Sequence, residues 1–188
     1  MTNVIGLGNT GCNIAENLEE AGYNVKLIDE GIEGGDNCFA LPKAARPEEY
    51  EATCPDLTGF LSDLQGKTYF ILSGAGNVSG ASLKILEKIK HLPIEIIYVL
   101  PDLTELTYQN LLQTKVTFGV LQEYTRSGMF RKMYIYSNTA IDSCLDAIPF
   151  GLYWKTVNKT ISDSIIAIDY YDNSDPLYGK IDSVPEHA

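Results

Sequence analysis

Apolar residues along this chain fall into two patterns, short solid runs and longer stretches with helical spacing. Solid runs occur at 4–7 (VIGL), 68–72 (TYFIL), 94–100 (IEIIYVL) and 132–136 (KMYIY), with a further strand-like segment at 24–28 that ends in Asp29. Runs this short and this apolar are what strands buried on both faces of a parallel sheet require. Between them lie amphipathic segments. One follows the first run through Leu18 and stops near Gly22, a second is LKILEKIKHL at 83–92, and a third spans about 107–127 with Leu111, Leu112, Phe118 and Leu121 at core-facing intervals. A fourth covers 142–167 with a break at Pro149, and the Ser137-Asn138-Thr139 cluster before it has the composition of a helix cap. Residues 38–56 read as irregular, because Pro42, Pro47 and Pro55 each interrupt a helix. Residues 57–64 read as one short helix. Strand and helix thus alternate, which predicts an α/β fold with a mostly parallel sheet covered by helices on both faces. Residues 1–168 form the predicted domain, and 169–188, polar and carrying Pro176 and Pro185, read as an arm or as the start of a further segment.

Length changes this picture little: 188 residues suit one well-buried domain. Charge changes it more. With 14 Lys and Arg against 25 Asp and Glu, the net charge of −11 disfavours nucleic acid and acidic membrane surfaces as partners. A protein this acidic that binds a polyphosphate must use backbone amides, a metal ion, or both. No apolar run approaches the length of a membrane span and the first residues lack a signal-peptide layout, so a cytoplasmic location is expected, the host cytoplasm if the chain is viral. Cys12, Cys38, Cys54 and Cys144 lie far apart without a C-x-x-C, and with two histidines in the chain no metal site is expected.

Candidate chemistry sits in the glycine loops. Gly6, Gly8 and Gly11 have the G-x-G-x-x-G spacing between a strand and a helix, where a tight turn lets an anion reach the main chain and the positive helix end. A second such transition is SGAGNVSGAS at 73–82, and EGIEGGDN at 30–37 is a polar turn placed again at a strand end. A plainer alternative is that the first glycines only close a strand-to-helix contact. Taken alone, the first half also fits a dinucleotide-binding Rossmann pattern with Asp29 on a ribose.

Together these segments resemble the nucleotide-binding domain of the tubulin and FtsZ family. GLGNTGCN looks like that family's first loop, with Gly6, Gly8, Asn9, Thr10, Gly11 and Cys12 around the phosphates and Asn13 reaching the guanine or its sugar. SGAGNVSGAS resembles the glycine signature, so that Gly74, Ala75, Gly76, Asn77, Val78, Ser79 and Gly80 would form an anion-binding nest. Ala75, Asn77 and Val78 depart from it, and a β-branched valine resists positive φ. Gly34, Gly35 and Asn37 match the loop near the terminal phosphate. Asn138 matches the family's asparagine on the nucleoside, and Tyr153, or else Phe150, the aromatic beneath the base. Asp169 and Asp172 have the spacing of the acids that orient water on a neighbouring subunit's nucleotide. The resemblance implies GTP or GDP as ligand, magnesium if the protein hydrolyses it, and head-to-tail self-association into cytoskeletal filaments. It needs no Walker lysine. Two other readings stay open: a Rossmann NAD(P)-binding oxidoreductase or sensor, and a nucleotide-free interaction protein.

Overall fold

The computed structural model describes residues 2–175 and residue 187. Strands β1 (Asn3–Leu7), β2 (Asn24–Asp29), β3 (Cys38–Ala40), β4 (Thr68–Ser73), β5 (Ile94–Leu100) and β6 (Lys132–Ser137) form one sheet in the order β3-β2-β1-β4-β5-β6. Every pairing is parallel. Helices are α1 (Gly8–Glu20), α2 (Pro47–Ala52), α3 (Ser82–Ile89), α4 (Tyr108–Arg126), α5 (Asn138–Cys144) and α6 (Tyr153–Asp172), with short 3-10 turns at Asn77–Ala81 and Phe150–Leu152.

Successive side chains of a strand point to opposite faces, and the two cores divide accordingly. Ile5, Phe70, Leu72, Ile96 and Tyr98 join Tyr50, Ile85, Leu86 and Leu121 beneath α2, α3 and α4. Val4, Tyr69, Ile71, Ile97 and Val99 join Ile14, Leu18, Val157, Ile161 and Ile165 beneath α1 and α6. The architecture is therefore a doubly wound α/β domain, as the alternation of apolar runs predicts.

Three local expectations are corrected. Residues 38–56 contain β3 and α2, because Pro47 stands at the first position of α2, where its missing N–H is harmless. Residues 57–64 form turns rather than a helix, although Leu57, Leu61 and Leu64 are all buried. On α4, Leu112 is 52% exposed, and the inward face carries Thr114, Thr117 and Thr125 beside Leu121. Thr114 and Thr125 donate their hydroxyls to the carbonyls of Asn110 and Leu121 at 2.8 and 2.9 Å, which satisfies them in the core.

Candidate functional site

In an open parallel sheet the ligand crevice lies beyond the carboxyl ends of the strands, where the strand order reverses. Here that place is between β1 and β4. A hollow of about 230 Å³ opens there, lined by Leu7, Gly8, Asn9 and Thr10 after β1, Ser73, Ala75, Gly76, Val78 and Ser79 after β4, and Val99, Pro101, Asn138 and Trp154. A second hollow of about 580 Å³ shares Pro101, Asn138 and Trp154 with it and adds Asp102, Glu105, Leu106, Thr139, Asp142, Phe150 and Tyr153. The two glycine loops thus converge, and Asn138 stands where the smaller hollow meets the larger.

The glycines divide by task. Gly8 has φ +71°, which a residue with a side chain adopts only under strain, and it opens α1 toward the hollow. Gly6 and Gly11 are contact glycines: a Cβ at Gly6 would lie 2.9 Å from the Ala15 Cβ, and one at Gly11 would collide with the Ile71 carbonyl oxygen. Gly74 is pressed against the Tyr98 hydroxyl and Gly80 against the Pro47 carbonyl, while Gly76 meets open space. None of the second-loop residues has a positive φ, so Val78 fits its 3-10 turn without strain. The plainer reading of the glycines holds for Gly6 and Gly11, and the same packing role extends to Gly74 and Gly80.

Donors in the second loop are partly used internally. The Ser79 amide donates to the Gly76 carbonyl at 3.1 Å, and the Ser79 hydroxyl donates to the Gly74 carbonyl at 3.2 Å. Asn77 turns away, donating its side-chain amide to the Ala45 carbonyl at 3.0 Å. In the first loop, Cys12 faces inward, donating to the Gly6 and Ile28 carbonyls, and burial followed by the charge of Asp29 pushes its thiol up to about 12. Asn13 is exposed and donates to Asn9 Oδ1 at 3.1 Å, outside the hollow's lining. Gly34, Gly35 and Asn37 also lie off the hollow, beside the outer strands, where Asn37 Oδ1 accepts from Lys26 at 3.5 Å.

Asn138 carries the clearest chemical signal. Its Oδ1 is buried and has no hydrogen-bond partner among the described residues. A buried acceptor without a donor is disfavoured by about 1–3 kcal/mol, which sets Asn138 apart from the other residues that line both hollows. Around it the aromatic wall is ready-made: Tyr153 and Trp154 meet edge to face at 5.0 Å, Trp154 is 60% exposed and Phe150 97%. Burial, then the hydrogen-bonded Asp142 carboxylate, raises the Tyr153 hydroxyl above its ordinary value. Sequence reasoning finds Phe150 and Tyr153 but misses Trp154 and the carboxylates of Asp102, Glu105 and Asp142. The signal available for Trp154 is its place one residue into a helix that begins at the sheet's carboxyl edge.

Asp169 and Asp172 sit at the opposite end of the sheet, within the last turn of α6 rather than in a loop. Asp169 pairs with Lys67 at 3.1 Å and accepts from the Tyr23 hydroxyl at 3.1 Å, and Asp172 pairs with Lys132 at 3.2 Å and Lys67 at 3.6 Å. Glu95 completes the cluster, 3.5 Å from Lys67. These carboxylates dock α6 onto the sheet at the end away from the hollow. Burial raises the Glu95 carboxyl above its ordinary 4.5 despite the opposing pull of Lys67 and Lys132, with Asp172 adding to the rise. The folded state therefore holds that proton more tightly than the unfolded chain does. The resulting stability is complete below the ordinary value and is lost as pH rises through the folded one. Glu95→Gln should gain stability relative to the parent as pH goes from about 4 to about 8. Urea unfolding at both pH values checks this, and parallel curves would contradict it.

Among the described residues no three His, Cys, Asp or Glu side chains are placed to hold a metal ion together. No described helix is long and apolar enough to cross a membrane.

Comparison with known proteins adds little beyond the architecture. No family model matches the chain, and no curated protein does. Among solved structures, translation elongation factor SelB from Methanococcus maripaludis, apo form, is similar at a TM-score of 0.39 and 12% identity, over 93% of this chain and 34% of that one. This chain thus spans about a third of that protein, and likeness at this level bears on neither ligand nor activity.

Proposed function

We propose that this protein binds a guanine nucleotide at the β1–β4 crevice in the manner of the tubulin and FtsZ family, with its phosphates over the first glycine loop and its base among Phe150, Tyr153 and Trp154. The observation that supports the reading best is the partnerless Oδ1 of Asn138, a residue that lines both hollows and whose side chain could turn to meet a ligand donor. Guanine offers adjacent imino and amino N–H donors on one edge, whereas adenine has no imino donor. The larger hollow lies within the roughly 300–1,000 Å³ range of ligand pockets. The N-terminus of α1 supplies a partial positive charge beside the smaller one. Because Asp169 and Asp172 are held by Lys67 and Lys132, the function proposed is binding, with no hydrolytic step and no filament contact assigned to them.

Calorimetric titration tests this. GDP or GTP should bind and ATP and NADH should not, and Asn138→Ala should weaken the guanine ligand about tenfold, near 1.4 kcal/mol. Binding of NADH that is lost in Asp29→Ala but retained in Asn138→Ala would replace this reading with the dinucleotide one.

A further inference from the structure

We infer that the channel between α4 and helices α2 and α3 is a docking groove for an amphipathic helix of another protein, one with an apolar stripe and with lysine or arginine along its flanks. The channel shares only Ser79 with the lining of the two hollows, and its role does not depend on the nucleotide reading.

Helix α4 is apolar on the side that faces solvent. Its core side carries Thr114, Thr117 and Thr125, while Tyr108, Leu112 and Val116 follow one another at four-residue spacing on the outer side, 83%, 52% and 53% exposed. A helix with apolar groups all round is normally covered all round. One exposed leucine would mean nothing, but a continuous row beside a groove marks an interaction surface. Leu112 and Val116 lead into a groove of about 240 Å³, whose far wall includes Pro47 of α2 and Leu83 of α3. Gln113 in its lining is already engaged, donating its side-chain amide to the Ser79 and Thr117 hydroxyls at 3.2 Å.

Shape restricts the occupant. The volume falls below the roughly 300–1,000 Å³ of small-ligand pockets and suits inserted side chains. No strand residue borders the groove, so an extended peptide would find no ladder to join. A helix satisfies its own main chain and lays side chains at i, i+3 or i+4 and i+7 into such a groove. From Gln109 to Leu121 the lining follows α4 for about 18 Å, some three turns of a docked helix.

Charge restricts it further. The charged residues in the lining are Glu48 and Glu51, and there is no lysine or arginine. Neighbouring Glu49 is taken by Arg46 and the Ala45 amide, whereas Glu48 and Glu51 have no ion pair or hydrogen bond among the described residues. Two unneutralised carboxylates beside an apolar trough favour cationic side chains opposite them. A second copy of this chain fits less well, because each copy carries a net charge of −11 and would bring the same glutamates to the contact.

The test uses the full chain and a fluorescent peptide of about 18 residues, with leucine at every third and fourth position and lysine on both flanks, read by anisotropy. It should bind saturably, and its counterpart with glutamate for lysine should bind at least about tenfold more weakly. Leu112→Ser/Val116→Ser and Glu48→Lys/Glu51→Lys should each weaken the lysine peptide about tenfold. Glu16→Lys/Glu20→Lys on α1 changes the net charge equally, at exposed positions, and should stay within about twofold. Equal weakening by the α1 and α2 pairs would mean attraction to net charge alone and overturns the inference. Absence of binding, or binding indifferent to the serine pair, overturns it too. So does sedimentation of the parent protein as a dimer that the serine pair dissociates, which would give this face to a second copy. Should the serine pair not fold, the two charge reversals decide alone.

Discussion

Gly11→Ala should lower the stability of this protein by about 3 kcal/mol or more, and the melting temperature by roughly 6–12 °C. The added methyl would collide with the Ile71 carbonyl oxygen, and it would lie 3.2 Å from the Gly6 carbonyl carbon. Both obstacles are backbone. Ile71 belongs to β4, which is hydrogen-bonded on one side to β1 and on the other to β5, so it has no room to retreat. Helix α1 would have to lift from the sheet, opening the contacts of Ile14, Ala15 and Leu18, all fully buried. A well-packed interior does not absorb such a shift cheaply. Gly34→Ala is the matched control: nothing lies within 4 Å of its added Cβ and its φ is not positive, so the change should stay within about 0.5 kcal/mol. Thermal and urea unfolding of the two variants checks the contrast. Equal stability would mean that the first glycine loop is looser than its packing indicates.

Lys67→Ala should be comparably damaging, at about 3–4 kcal/mol, although the residue lies outside the candidate site. Its ammonium stands within 3.1 to 3.6 Å of Asp169, Glu95 and Asp172 and 4.6 Å from the centre of the Tyr69 ring. The side chain is 20% exposed and its three carboxylate partners 16% or less, so water screens these charges poorly. Removing the lysine takes the ion pair from Asp169 and Glu95 and leaves Asp172 with Lys132. The expected consequence is local as well as global: the C-terminal half of α6 should exchange its amide hydrogens faster than α1, because Asp169 and Asp172 are its ties to the base of the sheet. Lys159→Ala removes an exposed pair with Asp163 on the same helix and should change stability by no more than about 0.5 kcal/mol. If the two lysine variants unfold alike, the cluster does not hold α6 in place.

The sheet was legible in the sequence because its central strands are buried on both faces and so appear as unbroken apolar runs. Elements governed by other physics were hidden. Strand β3 is the edge segment Cys38-Phe39-Ala40, too short to show a period. Helix α2 begins at a proline, which reads as a breaker when its position in the helix is unknown. Threonine on the inner face of α4 misleads because its hydroxyl is satisfied by the helix's own carbonyls. At the site, the convergence of the two glycine loops on the strand ends was readable from their placement after β1 and β4. The division of the glycines was not: whether a glycine faces a ligand or a neighbouring carbonyl depends on tertiary contacts that spacing does not encode. Asp169 and Asp172 show the same limit, since acid spacing alone does not reveal the lysines of β4's approach and β6 that hold them.

Trp154 lines both hollows and is the one tryptophan in the chain, so it reports directly on the proposed ligand. Titration of its fluorescence with GDP, under excitation that tyrosine does not share, should give a saturable change that ADP does not produce and that weakens about tenfold in Asn138→Ala. A signal indifferent to GDP, or one that ADP reproduces at the same concentrations, would contradict guanine binding at this crevice.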